Sequence, residues 1–240
     1  MIHLPSSNQQ NNNRISKSEY KVVFVGESTV GKTSIINIAN TNEFSDTTPT
    51  IGAYFLVNTY MINNCQVKLN LWDTAGQERY RSLTPIYFRE MDAGVLIYAI
   101  DNIESFNSIP KWYESIMSEQ NHKPPLYLVG NKADVIDVND DDNSGVKDDK
   151  NSDISNSEII NDSDSDHSVP TRVVSYQMGE EMAQKIGAKF FEVSAKTRKD
   201  EIKKLIYTIA EDVSSKKEMF TQKIQPDIQL KASEKKGCCD

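Results

Sequence analysis

The chemistry most plainly written in the chain lies in Gly26-Glu27-Ser28-Thr29-Val30-Gly31-Lys32-Thr33, followed by Ser34. Two glycines, a lysine and a hydroxyl in the spacing G-x4-G-K-[ST] allow backbone N–H groups to fold into a nest around an oligophosphate, with a helix dipole behind them. Lys32 adds a point charge for the β and γ phosphates, and the Thr33 hydroxyl can ligate Mg2+. A second set of residues can read a base. Asn131-Lys132-Ala133-Asp134 follows the apolar run Leu126 to Val129, and Ser194-Ala195-Lys196 follows the run Phe190 to Val193. Guanine presents adjacent N1–H and N2–H donors that one carboxylate accepts as a pair, whereas adenine turns a bare N1 lone pair to the same position. Asp134 therefore selects guanine by attraction and turns adenine away by repulsion, which argues against an ATPase.

These residues act together only if a scaffold brings three loops to one place. Strand-like runs at Tyr20 to Val25, Ala53 to Thr59, Val67 to Trp72, Gly94 to Ile100, Leu126 to Val129 and Lys189 to Val193 alternate mostly with helical patterns. That alternation predicts an α/β fold, a doubly wound six-stranded and mostly parallel sheet. Such sheets bind ligands at the carboxyl ends of their strands, where all three loops fall. The departure from alternation is Ala53 to Trp72, where Asn63-Asn64 predicts a hairpin and one antiparallel edge pair. Phe106, Ile109, Trp112, Tyr113 and Ile116 share one helical face, as do Ile202, Leu205, Ile206, Ile209 and Val213, and both stripes read as core packing.

Composition sets the surroundings. Of 240 residues, 38% are apolar and 26% charged, as in an ordinary globular chain. The longest apolar stretch, Ala93 to Ile100, is far short of the roughly 18 to 20 residues a membrane span needs, and the chain opens without a basic and then apolar leader. The net charge is −8, which gives nucleic acid no attraction, but it is unevenly placed: residues 135 to 169 alone carry −9, leaving +1 for the rest. This Asp-, Asn- and Ser-rich stretch lies between two core patterns and reads as an acidic, disordered insertion. Within it, Asp140-x-Asp142-x-Ser144-Gly145 faintly resembles a calcium loop, yet Asn151 stands where a bidentate Glu is needed. His3, His122 and His167 have no metal-ligand spacing. Residues 1–18 contain Gln-Gln-Asn-Asn-Asn and almost nothing apolar, so a flexible arm is expected before a domain over residues 19–214. Residues 215–240 read as a flexible tail of net charge +2 that ends Cys238-Cys239-Asp240. Three cysteines, two of them adjacent at the end, build no disulfide framework, and a reducing cytosolic setting fits.

Gly26 to Thr33, Pro49-Thr50-Ile51-Gly52, Trp72-Asp73-Thr74-Ala75-Gly76-Gln77-Glu78-Arg79-Tyr80, Asn131 to Asp134 and Glu192-Val193-Ser194-Ala195-Lys196 together resemble a small GTPase of the Ras superfamily, with a P-loop G domain. The Trp72 to Tyr80 stretch and the terminal Cys-Cys resemble its Rab branch. Thr50 to Leu56 and Leu83 to Tyr87 look most like the endosomal Rabs. The resemblance implies that Thr50, in a first switch over about Phe44 to Gly52, closes on Mg2+ and the γ phosphate. It further implies that Asp73 holds Mg2+ through water, Gly76 senses the γ phosphate, and Gln77 orients the attacking water in a second switch over about Asp73 to Tyr87. Phe44 resembles the aromatic packed edge-on to the base, Asn131 the partner of guanine N7, Ala195 the backbone donor to O6, and Lys132 and Lys196 the residues along the base and its supporting loop. Cys238 and Cys239 resemble a double geranylgeranyl acceptor in Cys-Cys-X form; a C-a-a-X site would need its cysteine where Gly237 stands.

The implied function is a monomeric GTP-binding and hydrolysing switch regulating vesicle or membrane traffic on the cytoplasmic face of a membrane. Its implied partners are an exchange factor, a GTPase-activating protein, a GDI-type prenyl chaperone and effectors. No arginine lies between Phe44 and Thr50, so slow unaided turnover is expected. Two alternatives fit less well. A non-hydrolysing GTP-binding scaffold has no use for intact Gln77, Thr50 and Asp73, and a Rho- or Ran-like regulator accounts poorly for the tail and the acidic insertion. The sequence departs from the Rab pattern in a first switch one residue short, with Thr47 and Thr48 where an aromatic commonly covers the nucleotide. It departs again at Tyr98-Ala99-Ile100-Asp101 in place of Tyr-Asp-Ile-Thr, and at Glu90-Met91 in place of Gly-Ala.

Overall fold

The computed structural model describes residues 17–76, 84–135 and 171–223. Six strands, β1 (Lys17–Val25), β2 (Ala53–Ile62), β3 (Cys65–Thr74), β4 (Ala93–Ala99), β5 (Leu126–Asn131) and β6 (Lys189–Glu192), form one sheet in the order β2-β3-β1-β4-β5-β6. All neighbours are parallel except β2 and β3, which pair antiparallel from Ala53–Thr74 to Ile62–Cys65. Asn63 and Asn64, at φ of 48° and 62°, make the two-residue turn between them; both occupy the left-handed region that such a turn requires and that asparagine tolerates. The expected fold class and edge pair are thus what the structure has.

Period-two alternation divides the core into two layers. Val22 and Phe24 of β1, with Val95 and Ile97 of β4, face one side, where α1 (Lys32–Thr41) and α6 (Lys199–Lys223) cover them. Val23, Val25, Leu96 and Tyr98 face the other, covered by α4 (Ile109–Ser118) and α5 (Tyr176–Ile186), with the short α2 (Thr84–Phe88) and α3 (Ile103–Asn107) at its margin. Strands covered on both faces read as continuous apolar runs, which is why β4 is buried at every position.

Three boundaries differ from expectation. The face from Phe106 to Ile116 lies on two helices, because Pro110 lacks the amide that a continuous helix would bond back to residue 106. Ser108 joins them, donating its backbone N–H to Glu104 O and its hydroxyl to Ser105 O. β1 begins at Lys17, inside the expected arm, since Lys17 and Ser18 pair with Gln66 and Val67 of the long β3. α6 runs past Ser214 to Lys223, so helix continues into what was expected to be tail. The arm before residue 17, the insertion from 136 to 170 with its calcium-like loop, and the terminal cysteines lie outside the described residues.

Candidate nucleotide-binding site

β1 is flanked by β3 and β4, and successive strands progress outward from it in opposite directions, so its carboxyl end is the switch point of the sheet. The loop from Gly26 to Gly31 leaves the sheet there. Gly26 has φ +147°, and a Cβ on it would lie 2.1 Å from Ile97 O; Gly31 has φ +94°, and its Cβ would lie 2.2 Å from Asn131 Nδ2. Only glycine fits at either position. α1 starts immediately after Gly31 with no side chain capping its first amides, which leaves them for an anion. Lys32 is 5% exposed, and its ammonium donates to Gly26 O at 3.0 Å and Glu27 O at 2.7 Å. Burial pushes its pKa down to about 8, against the opposing pull of Asp73 and Glu27.

Beside Lys32 three oxygens converge. Asp73 Oδ2 accepts from the Thr33 hydroxyl at 2.6 Å and the Thr50 hydroxyl at 3.1 Å, and the two hydroxyl oxygens are 3.0 Å apart. Asp73 Oδ1 is buried with no hydrogen-bond partner. Burial raises the Asp73 pKa, opposed by the Thr33 bond, the Lys32 charge and the Thr50 bond. A carboxylate oxygen buried without a donor, beside two hydroxyls, is the hard-oxygen chemistry that Mg2+ prefers, so these residues fit that ion. Gly76 closes this end: a Cβ there would lie 2.5 Å from both Glu27 O and Lys32 Nζ. Gln77 lies outside the described residues.

The other end is braced by side chains. Asn131, at the end of β5 and 2% exposed, donates from Nδ2 to Val30 O at 2.8 Å and accepts at Oδ1 from Ala195 N at 3.2 Å. It thereby ties the phosphate loop to the Ser194 loop, and one of its two amide hydrogens remains for a ligand. Ser194, fully buried, donates to Asp134 Oδ1 at 2.5 Å and accepts from Lys196 N and Thr197 N. Lys132 takes φ 68°, unusual for a side chain of its size, and its ammonium lies 3.1 Å from Asp101 Oδ2.

A cavity of about 340 Å³ joins the two ends. Ser28, Thr29, Gly31, Lys32, Thr33, Ser34 and Gly76 line it from the phosphate loop, α1 and the segment that follows β3; Asn131, Lys132, Asp134, Ala195 and Lys196 from the loops after β5 and β6; and Phe44, Thr47, Thr48, Pro49 and Thr50 from the segment between α1 and β2. Of the residues expected at the site, Gly26, Glu27, Val30, Asp73 and Ser194 do not line the cavity but hold those that do. Sequence reasoning passed over Asp101 as a neighbour of Lys132, although its position just after a strand end was a usable signal. It also passed over Trp112, whose indole donates to Glu27 Oε1 at 3.2 Å from a residue assigned only to core.

Residues 21–215 match the model of the Ras family. The chain belongs to the Ras family. Among curated relatives, the ras-related protein Rab-5B of Dictyostelium discoideum is 40% identical over 134 residues, which cover 56% of this chain and 62% of that protein. The Ras and EF-hand domain-containing protein homolog of Mus musculus is 30% identical over 230 residues, 94% of this chain but 32% of that protein. The chain therefore matches less than two thirds of the length of either. The Ras-family match begins within β1 and ends in α6, and so includes every loop that lines the cavity. Among the described residues no helix is long and apolar enough to cross a membrane.

Proposed function

We propose that the chain binds and hydrolyses GTP as a Rab-type switch in membrane traffic. The observation that carries this reading is a single cavity with an ammonium and free helix amides at one end and Asp134, held by Ser194, at the other. Their separation along one cavity suits a nucleotide lying with its phosphates over α1 and its base against Asp134 and Ala195. Thr33, Thr50 and Asp73 would hold Mg2+, which supplies charge neutralisation for the β and γ phosphates. In this reading Gln77 orients water, Gly76 leaves room beside the γ phosphate for its own amide to meet it, and Lys32 holds positive charge where the transition state gains negative charge. No general base or covalent nucleophile is needed, since phosphoryl transfer depends on positioning and charge.

Two further features support a switch read by partners. Phe55, Trp72 and Tyr87 form a run of tilted rings with centroids 5.5 and 5.9 Å apart, while Ile51 and Ile86 stand 80% and 64% exposed in the two switch segments. Exposed apolar groups on segments that contact the phosphate end suit effectors and regulators that distinguish the two nucleotide states. An exchange factor, an activating protein and effectors complete the cycle; prenylation of both Cys238 and Cys239 provides stable attachment to the cytoplasmic face of a membrane, from which a GDI-type chaperone returns the protein to the cytosol. The decisive test is single-turnover hydrolysis by purified protein with GTP and ATP side by side, with and without Mg2+. Slow, Mg2+-dependent release of phosphate from GTP alone is expected; equal use of ATP, or no binding of GTP, refutes the assignment. Imaging the wild type beside a Cys238→Ser/Cys239→Ser variant tests the placement, and the variant is expected in the cytosol.

A further inference from the structure

We infer that Asp101 is a positioning residue for the guanine end of the site, acting through Lys132; the inference rests on the nucleotide-binding reading above. Lys132 lines the cavity and Asp101 does not, yet the Lys132 ammonium lies 3.1 Å from Asp101 Oδ2. The charged end of the side chain is thus drawn out of the cavity, and the hydrocarbon stem is what Lys132 presents to it. A purine ring offers a flat apolar face, and a lysine stem held straight by an anchor at its tip is a surface on which such a ring can lie. Without the anchor, a side chain with four rotatable bonds would have to be ordered anew each time a nucleotide bound.

Three observations make the anchor firm. Asp101 directly follows Ile100, whose N–H bonds Asn131 O at 3.0 Å, so the carboxylate and Lys132 sit on two chains already joined beside the cavity. The Asp101 side chain is only 17% exposed and that of Lys132 35%, which shields the pair from most solvent. Asp101 Oδ1 is buried with no hydrogen-bond partner, so Lys132 is the counter-group the structure shows for this carboxylate. Charge is thereby divided along the cavity. Lys132 is compensated and serves the base; Lys32, bonded to two backbone carbonyls, keeps its ammonium for phosphate.

The test is a double-mutant cycle on full-length protein, with Asp101→Asn, Lys132→Met and the double variant, reading dissociation of fluorescent GDP by stopped flow and folding by thermal melt. Asp101→Asn keeps the shape and removes the charge; it is expected to speed GDP release about fivefold to tenfold at an almost unchanged melting temperature. Lys132→Met keeps a stem but leaves the Asp101 carboxylate buried and alone, so it is expected to lower the melting temperature, and adding Asp101→Asn should restore it. In the Lys132→Met background Asp101→Asn should no longer change GDP release. The same acceleration in both backgrounds, or release within twofold of wild type for Asp101→Asn, overturns the inference while leaving nucleotide binding intact. Failure of the wild type to bind GDP overturns the functional reading itself, and this inference with it.

Discussion

The two ends of the cavity differ in whether the protein satisfies its own polar groups. At the base end Asp134 accepts from Ser194, both polar atoms of Asn131 are bonded to backbone, and Ser194 accepts two amides from the loop it begins. At the phosphate end an ammonium is buried deeply enough to lower its pKa, a carboxylate oxygen has no donor, and the first amides of α1 have no side-chain cap. The base end is the more nearly finished, with one Asn131 amide hydrogen and Asp101 Oδ1 left over, and the phosphate end is incomplete without a ligand. An end braced by its own bonds suits fixed selectivity. An incomplete end gives a state that depends on what fills it, since buried groups without partners favour whichever arrangement supplies them. The switch segments belong to the incomplete end: Thr50 reaches Asp73, and Gly52 O accepts from Ala75 N at 2.8 Å, linking the first switch to the segment that leads into the second.

The largest effect is expected at the finished end. On the proposed reading, Asp134→Asn removes a carboxylate that would accept two donors from guanine, and charge-assisted bonds of roughly 1.5–3 kcal/mol each imply a loss of about 10² to 10⁴ in GTP affinity. Equilibrium titration measures this directly, and relative affinity for xanthosine triphosphate should rise, because xanthine offers a carbonyl where guanine has its amine. A variant that binds GTP as tightly as wild type would show that the base end does not read guanine through Asp134.

At the incomplete end the expected losses fall on rate more than on affinity. Gly76→Ala places a Cβ 2.5 Å from Glu27 O and Lys32 Nζ, so the second switch must retreat from the phosphate loop. A displacement near 1 Å at such a site lowers rates by roughly 10²-fold. Single-turnover hydrolysis should fall by about that factor while GDP affinity changes far less, and an equal loss of both would put Gly76 at the finished end instead. Chelation of Mg2+ by EDTA is the milder intervention. It should speed GDP release by at least about tenfold, since a cation that neutralises phosphate charge contributes a few kcal/mol, while leaving the ordering of GDP above ADP unchanged.

The same contrast explains what the sequence disclosed. Short motifs that fold back on themselves were legible: glycines at Gly26 and Gly31 answer to backbone geometry, and the order of strands and loops placed Asn131, Asp134 and Ala195 at one rim. The sheet and its antiparallel edge were legible because two faces of β1 and β4 alternate within one apolar run and Asn63-Asn64 is a local turn signal. Bonds between residues far apart in the chain were not. Glu27 with Trp112 and Lys132 with Asp101 depend on which side chains neighbouring strands bring together, and no spacing rule encodes that. The domain boundary expected at Ser214 followed the apolar stripe, which ends at Val213, whereas the helical backbone of α6 runs on to Lys223.

The smallest effect is expected from removing the acidic insertion, and it tests whether the finished end is finished without it. Both points where that segment joins the domain are held by the domain itself. Val135 N donates to Lys132 O at 3.1 Å on the outgoing side. On the returning side Arg172 grips Glu192 of β6 through two bonds, of 2.7 and 3.1 Å, and Val173 N and Val174 N both donate to Ile100 O. None of these bonds involves a residue between 137 and 167. Replacing that stretch with a short flexible link shortens the loop by about two doublings, which by closure entropy amounts to roughly 1 kcal/mol in favour of the folded state. For a domain of this size that is a rise of about 2–4 °C in melting temperature. GDP affinity should stay within about twofold, because Asp134 takes its orientation from Ser194 and the chain leaves the site only after Val135. A cooperative fall in melting temperature, or GDP release that quickens on deletion, would mean that the acidic stretch packs against the base end and completes it.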